Sequence, residues 1–176
     1  FISYKAFGVC KSLLSDIILR HKVFIGIGYL KIVAEDLIIL HLQILNTRSL
    51  SILFQDLRLF GELTALENVE IKNRITKHRT QKQIESWFEE LGIGDKLHAR
   101  IDRMSYGQQQ RVALIRALCQ PYDFLFLDEP ISHLDDRNSD IMRDIILREA
   151  GAAGAAVVAT SIGKHMNIDY DKTLRL

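Results

Sequence analysis

Residues 124–127, Phe-Leu-Phe-Leu, form an unbroken apolar run that stops at Asp128-Glu129-Pro130. A short continuous run of this kind predicts a strand buried on both faces, as in a parallel sheet. The paired carboxylates at its carboxyl end sit where open α/β sheets bind their ligands. Just upstream, residues 108–120 place Val112, Ile115, Ala117 and Leu118 on a helical stripe, with Arg111 and Arg116 outside it. Pro121 ends that helix, because it lacks an N–H and clashes with the preceding turn. Over residues 104–135 a glycine-bearing turn, a helix, a buried strand, paired acids and a tight turn follow one another, which is the layout of a nucleotide site.

The chain has 176 residues, enough for one well-buried core with room for a small inserted subdomain. Its formal net charge is +1, so no electrostatic nucleic-acid surface is implied. Cys10 and Cys119 fall outside any metal-ligand spacing and suggest reduced thiols in a cytosolic setting. The apolar stretch 37–45 is too short to span a membrane and is interrupted by His41 and Gln43. No signal peptide is visible, so a membrane link would come through a partner.

Met104-Ser105-Tyr106-Gly107-Gln108 resembles the signature motif (LSGGQ) of ATP-binding cassette ATPases. Residues 124–129 resemble their Walker B strand with its catalytic glutamate, and Ser132-His133-Leu134-Asp135 resembles their D-loop. The order and spacing of all these segments fit. The resemblance covers nearly the whole chain and points to the lipoprotein-release and macrolide-export type of cassette. Residues 5–12, Lys-Ala-Phe-Gly-Val-Cys-Lys-Ser, align with the phosphate loop G-x-x-x-x-G-K-[ST], in which backbone N–H groups curl around phosphates. Lys11 and Ser12 stand in the expected places and Gly8 matches the family's middle glycine, but Lys5 and Cys10 replace the two glycines of the general pattern. A side chain at Cys10 crowds the phosphates or forbids a backbone angle that glycine adopts cheaply.

The remaining chain supports this organisation. Residues 1–4 read as a strand feeding the phosphate loop, and residues 13–19 as the helix whose amino end faces the phosphates. Residues 26–33 read as a turn and antiparallel strand, and residues 35–46 are apolar without a clear period. Residues 50–54 are β-rich and end in Gln55, which resembles the family's Q-loop glutamine. From residue 62 the composition turns polar. Thr80 and Gln83 form a capping-box pattern for a helix through Leu91, with Ile84, Trp87, Phe88 and Leu91 on its apolar face. The basic cluster Lys72, Arg74, Lys77, His78, Arg79 and Lys82 reads as a solvated helix face, with an anionic lipid contact as the alternative. An amphipathic helix over 138–149, a small-residue link over 151–154, a buried strand over 155–160 and closing hairpin strands over 169–176 complete the chain. The family places a switch histidine after that buried strand; this chain has Ser161, and His165 lies four residues on.

The resemblance implies an α/β P-loop NTPase fold with a RecA-like, parallel-sheet core and an inserted α-helical subdomain. A single nucleotide-binding domain would fill residues 1–176, with the core in 1–61 and 105–176 and the helical subdomain in 62–104. It also implies strands ahead of the phosphate loop, so the expectation is that the amino end, with its adenine-stacking aromatic residue, is missing. The implied activity is ATP hydrolysis in an ABC transporter, with ATP and Mg2+ bound. Gly8, Val9, Cys10, Lys11, Ser12 and Leu13 would hold the phosphates. Ser12, Gln55 and Asp128 would serve the metal, and Glu129, Gln55 and Ser161 the chemistry. Ser105, Gly107 and Gln108 would meet the nucleotide of an opposing subunit, in a homodimer or paired ABC subunit formed with ATP, and Asp135 of the D-loop would also contribute to nucleotide binding. A transmembrane permease would hold the protein on the inner face of the plasma membrane, and no nucleic acid is expected as partner. Lys5, Cys10 and Ser161 leave open an alternative: a degenerate cassette that binds nucleotide weakly and acts as a regulatory or structural partner. A soluble cassette of DNA repair or translation is disfavoured, since no long coiled-coil insertion interrupts the chain.

Overall fold

A computed structural model describes residues 1–6 and 50–174. Among the described residues, five strands form one sheet in the order β2-β3-β4-β1-β5. β2 (Leu50–Leu53), β3 (Phe124–Asp128) and β4 (Ala156–Thr160) are parallel, with Leu53 opposite Leu127 and Asp128 opposite Thr160. The apolar run therefore lies between two parallel neighbours, as its composition requires; Leu125 and Leu127 are fully buried.

β1 (Ile2–Ala6) departs from the expected direction. It runs antiparallel to β4, with Ile2 opposite Thr160 and Ala6 opposite Ala156, and antiparallel to β5 (Lys172–Leu174). Its carboxyl end thus lies at the opposite end of the sheet from Asp128. The polar edge contacts fit this arrangement. Ser3 and Thr173 share a hydroxyl hydrogen bond of 3.1 Å, and Lys5 pairs with Asp169 and Asp171 at 3.7 and 3.8 Å. Lys5 is consequently a strand residue with carboxylate partners rather than the first residue of a turn. The segment expected as closing hairpin strands supplies the single strand β5 among the described residues. The phosphate-loop expectations at Gly8, Val9, Cys10, Lys11, Ser12 and Leu13, and those for residues 26–33 and 35–46, lie outside the described residues.

Among the described residues, four α-helices cover the rest. α1 (Ala65–Thr76) starts at Thr64 and α2 (Gln81–Glu90) at Thr80, each with a reciprocal capping box, to Glu67 and Gln83 respectively. Ile84, Trp87, Phe88 and Leu91 are buried, as the α2 periodicity predicts. α3 (Tyr106–Leu118) begins two residues earlier than expected, because Ser105 acts as its N-cap and Gln108 closes the box. Gly107 therefore sits in the first helical turn. α4 (Asp136–Ala153) absorbs the expected small-residue link and stops where Gly154 takes a left-handed φ of 64°, a conformation that glycine reaches without a Cβ clash.

One continuous core joins α2, α3, α4 and the inner face of the sheet. Side chains also tie α3 to β2: Ser51 donates its hydroxyl to the Ala117 carbonyl at 2.7 Å, and Gln120 donates to the Leu50 carbonyl at 2.6 Å. Within the basic cluster, Arg79 turns inward rather than to solvent. It donates to the Leu118 carbonyl, pairs with Glu149 at 3.3 Å and lies over the Trp87 ring. Burial pushes the Cys119 thiol up to about 12, so it stays protonated and inert.

Two substitutions separate core from cap. Phe88→Ala is expected to lower the unfolding free energy by about 3–5 kcal/mol. Thr80→Ala should lower it by about 1 kcal/mol. Urea titration measures both, and equal losses would contradict the packing assigned to Phe88.

Candidate nucleotide site

The parallel register brings three loops to one end of the sheet. Gln55 follows β2, Asp128 and Glu129 end β3, and Ser161 follows β4. Asp128 is half-buried and accepts a hydrogen bond from the Thr160 hydroxyl of the neighbouring strand. Glu129 adopts φ 48°, a left-handed conformation that costs a non-glycine residue about 1–3 kcal/mol and persists only where the surroundings enforce it. Its N–H donates to the Thr160 carbonyl at 3.2 Å. Its carbonyl accepts from the Gln110 side-chain amide at 2.9 Å, and from the Ser132 N–H and hydroxyl at 3.3 and 3.2 Å.

The loop after β2 is also left-handed. Gln55 is exposed, and the following Leu57 and Arg58 take φ 56° and 49°. Arg116 of α3 donates to both of their carbonyls at 2.6 Å. Burial lowers the Arg116 pKa, and Asp56 counters this. The Arg58 guanidinium stacks 3.6 Å from the Phe54 ring centre and pairs with Asp56. The Gln55 carbonyl accepts the Tyr106 hydroxyl. Burial raises the Tyr106 pKa, and Asp56 and Glu129 add to the rise.

Ser105 and Gln108 are engaged locally: the Gln108 N–H donates to the Ser105 hydroxyl at 3.3 Å, and the Ser105 N–H donates to Gln108 Oε1 at 2.9 Å. Gly107 faces the turn after Glu129. A Cβ there would stand 2.9 Å from the His133 carbonyl oxygen, so the close approach admits only glycine. The Tyr106 and His133 rings pack at 4.3 Å between centres. Asp135 caps α4, accepting from the Asn138 N–H at 2.8 Å. The Asn138 hydrogen bonds, chiefly to its N–H, hold the Asp135 carboxyl below the usual aspartate range, aided by Arg111 and Lys164. Ser161 donates its N–H to the Phe1 carbonyl, and its hydroxyl lies 2.5 Å from His165 Nδ1.

The structure thus gathers Gln55, Asp128, Glu129 and Ser161 at one sheet end, and sets Ser105, Gly107 and Gln108 beside the turn leading to Asp135. Reading the sequence did not single out Tyr106, Gln110, Arg116 or Thr160. For Tyr106 the available signal was a bulky phenol at a glycine position of the motif it resembles.

A family model described as "ABC transporter" matches residues 8–132. The chain belongs to this family. Among its relatives, the lipoprotein-releasing system ATP-binding protein LolD of Aquifex aeolicus is 39% identical over 122 residues, covering 68% of this chain and 54% of that protein. The macrolide export ATP-binding/permease protein MacB of Acinetobacter baylyi is 38% identical over 110 residues, covering 60% of this chain and 16% of that protein. A solved dimeric structure of a bacterial ABC transporter cassette superposes with a TM-score of 0.57 at 26% identity, over 68% of this chain and 54% of that one. A post-hydrolysis structure of the same cassette, bound to ADP and Pi, gives 0.54. The chain thus spans about half, or less, of the relatives it matches. The P-loop cassette fold expected from the sequence is the fold of these neighbours.

Asp135 gives a pH test of the site's scaffold. Its depressed pKa means that its cap is complete above the ordinary aspartate pKa and is lost as pH falls through the folded value. Asp135→Ala should therefore lower the urea midpoint at neutral pH, with the gap to wild type closing in acid. A gap that is constant with pH would remove the charged cap.

Proposed function

We propose that this protein is the ATP-binding and ATP-hydrolysing subunit of an ABC transporter, acting on a separate transmembrane permease from the inner face of the plasma membrane. The carrying observation is the shared end of β2, β3 and β4, where Gln55, Asp128 and Glu129 emerge together in a chain of this family. Among the described residues, no helix is long and apolar enough to cross a membrane.

The donor set suits Mg2+. Asp128 offers one hard carboxylate beside the Gln55 loop, and among the described residues no three His, Cys, Asp or Glu side chains converge. Mg2+ is commonly held in this way, by one or two protein oxygens with the balance from water and phosphate. In this reading Asp128 and Gln55, with Ser12, serve the metal. Lys11 and its neighbours Gly8, Val9, Cys10, Ser12 and Leu13 hold phosphate. When bound, the metal supplies charge neutralisation in phosphoryl transfer to water. Glu129 orients and deprotonates the attacking water as general base. Ser161, with His165 against it, completes the far side of the site. Residues 62–104 form the helical subdomain that meets the permease. Ser105, Gly107, Gln108 and Asp135 face the nucleotide of a second cassette, so ATP becomes part of a dimer interface and dimerisation rises with ATP by mass action.

Calorimetric titration of Mg-ATP, beside Lys11→Ala, tests binding. Binding in the wild type that Lys11→Ala abolishes is the expected result. No binding by either would favour the second reading, a degenerate cassette acting as a regulatory or structural partner, for which Lys5 in β1 and Cys10 in the loop position argue. Glu129→Gln should bind Mg-ATP as wild type does, favour the dimer and slow phosphate release by about a hundredfold. Equal turnover would remove Glu129 from the mechanism. Cys10→Gly should tighten binding, and an unchanged affinity would clear Cys10 as a defect.

A further inference from the structure

Tyr106 and Gln110 are four residues apart on α3, so their side chains project from one face of the helix, one above the other. Each reaches away from the helix to a backbone carbonyl. Tyr106 holds that of Gln55, and Gln110 holds that of Glu129 at 2.9 Å. The two carbonyls belong to the two left-handed loops of the site, separated by more than seventy residues in sequence. Neither loop contains a glycine at its positive-φ positions, so each conformation depends on outside restraints. Gln110 is 2% exposed, and its Oε1 finds no partner among the described residues. A buried amide with an unmet acceptor weakens a fold, and an apolar side chain of equal length would pack there without that cost. Among the described residues, the one long-range hydrogen bond of this amide is to the Glu129 carbonyl.

We propose that Tyr106 and Gln110 are a positioning pair that sets the spacing of Gln55 and Glu129, so that the signature helix aligns both loops as one unit. This rests on the proposed function only where it concerns turnover. Neither side chain touches the reacting atoms. Each acts through the carbonyl it holds, and a shift of α3 moves both loops together. Arg116, ten residues and nearly three turns beyond Tyr106, anchors the far side of the Gln55 loop through Leu57 and Arg58.

Hydrogen exchange on the intact chain without nucleotide tests the pair directly. Gln110→Met should speed exchange over residues 129–134, and Tyr106→Phe over residues 54–60, each by about three- to tenfold, the range that one lost hydrogen bond allows. Gln110→Met should leave the urea midpoint equal or raised, which a purely structural role would not do. In a chain that turns over ATP, Gln110→Met should lower kcat about tenfold and change KM by less than about twofold. Unchanged exchange in both loops, or faster exchange with a matching loss of global stability, would overturn the pair. So would an unchanged kcat in an active protein. Because exchange is read without nucleotide, a wild type that binds no ATP would overturn the proposed function while exchange still decides the pair.

Discussion

Backbone pairing in register across β2, β3 and β4 decides where each candidate side chain emerges. Leu53 pairs with Leu127, and Asp128 with Thr160, so three loops leave the sheet at one end and within reach of one another. A slip of one residue would turn Leu125 and Leu127 from one face of the sheet to the other, exchanging their environment with that of Phe126. Full burial of Val157, Leu125 and Leu127 makes such a slip costly. The precision of the site is therefore inherited from the apolar content of its central strands rather than from the polar residues themselves.

On this frame, α3 acts as more than a packing element. Its apolar residues, Val112, Leu114, Ile115 and Leu118 among them, are fully buried in the core. Its polar residues on other faces donate to carbonyls of the loops around it, and Arg111 reaches the Leu91 carbonyl and Asn138. A helix so fixed on all sides transmits displacement instead of absorbing it. The close approach of Gly107 to the turn at His133 adds a steric limit to the same rigid contact.

Elements with a strong periodic or apolar pattern were legible in the sequence: β3 from an unbroken run, α2 from its capping box and apolar face, β4 from its small buried residues. The boundaries of α3 and α4 were not. Gly107 suggested a turn but sits inside a helix because Ser105 supplies the cap, and Gly151 was outweighed by the left-handed stop at Gly154. The direction of β1 was also hidden, since strand direction follows from pairing with β4 and β5, which no local pattern encodes. Gln55, Asp128, Glu129, Ser105, Gly107, Gln108 and Asp135 could be singled out through their resemblance to the family's motifs, and Ser161 as a departure at the position of the family's switch histidine. Tyr106, Gln110 and Arg116 could not, because their acceptors are main-chain carbonyls distant in sequence. A carbonyl carries no residue identity to read.

The bonds from Arg116 to the Leu57 and Arg58 carbonyls join residues 59 and 58 positions apart. During synthesis at about 5–20 residues per second, the loop after β2 waits roughly 3–12 s before the side chain that holds its left-handed turn has been made. β3, the parallel neighbour of β2, arrives later still. The loop thus takes its shape only well after it has been translated, although β1, which pairs with β4 and β5, waits longer still. A substitution at Arg116 would prolong that unshaped interval, and its effect would be felt in the yield of folded protein before it was felt in the finished molecule.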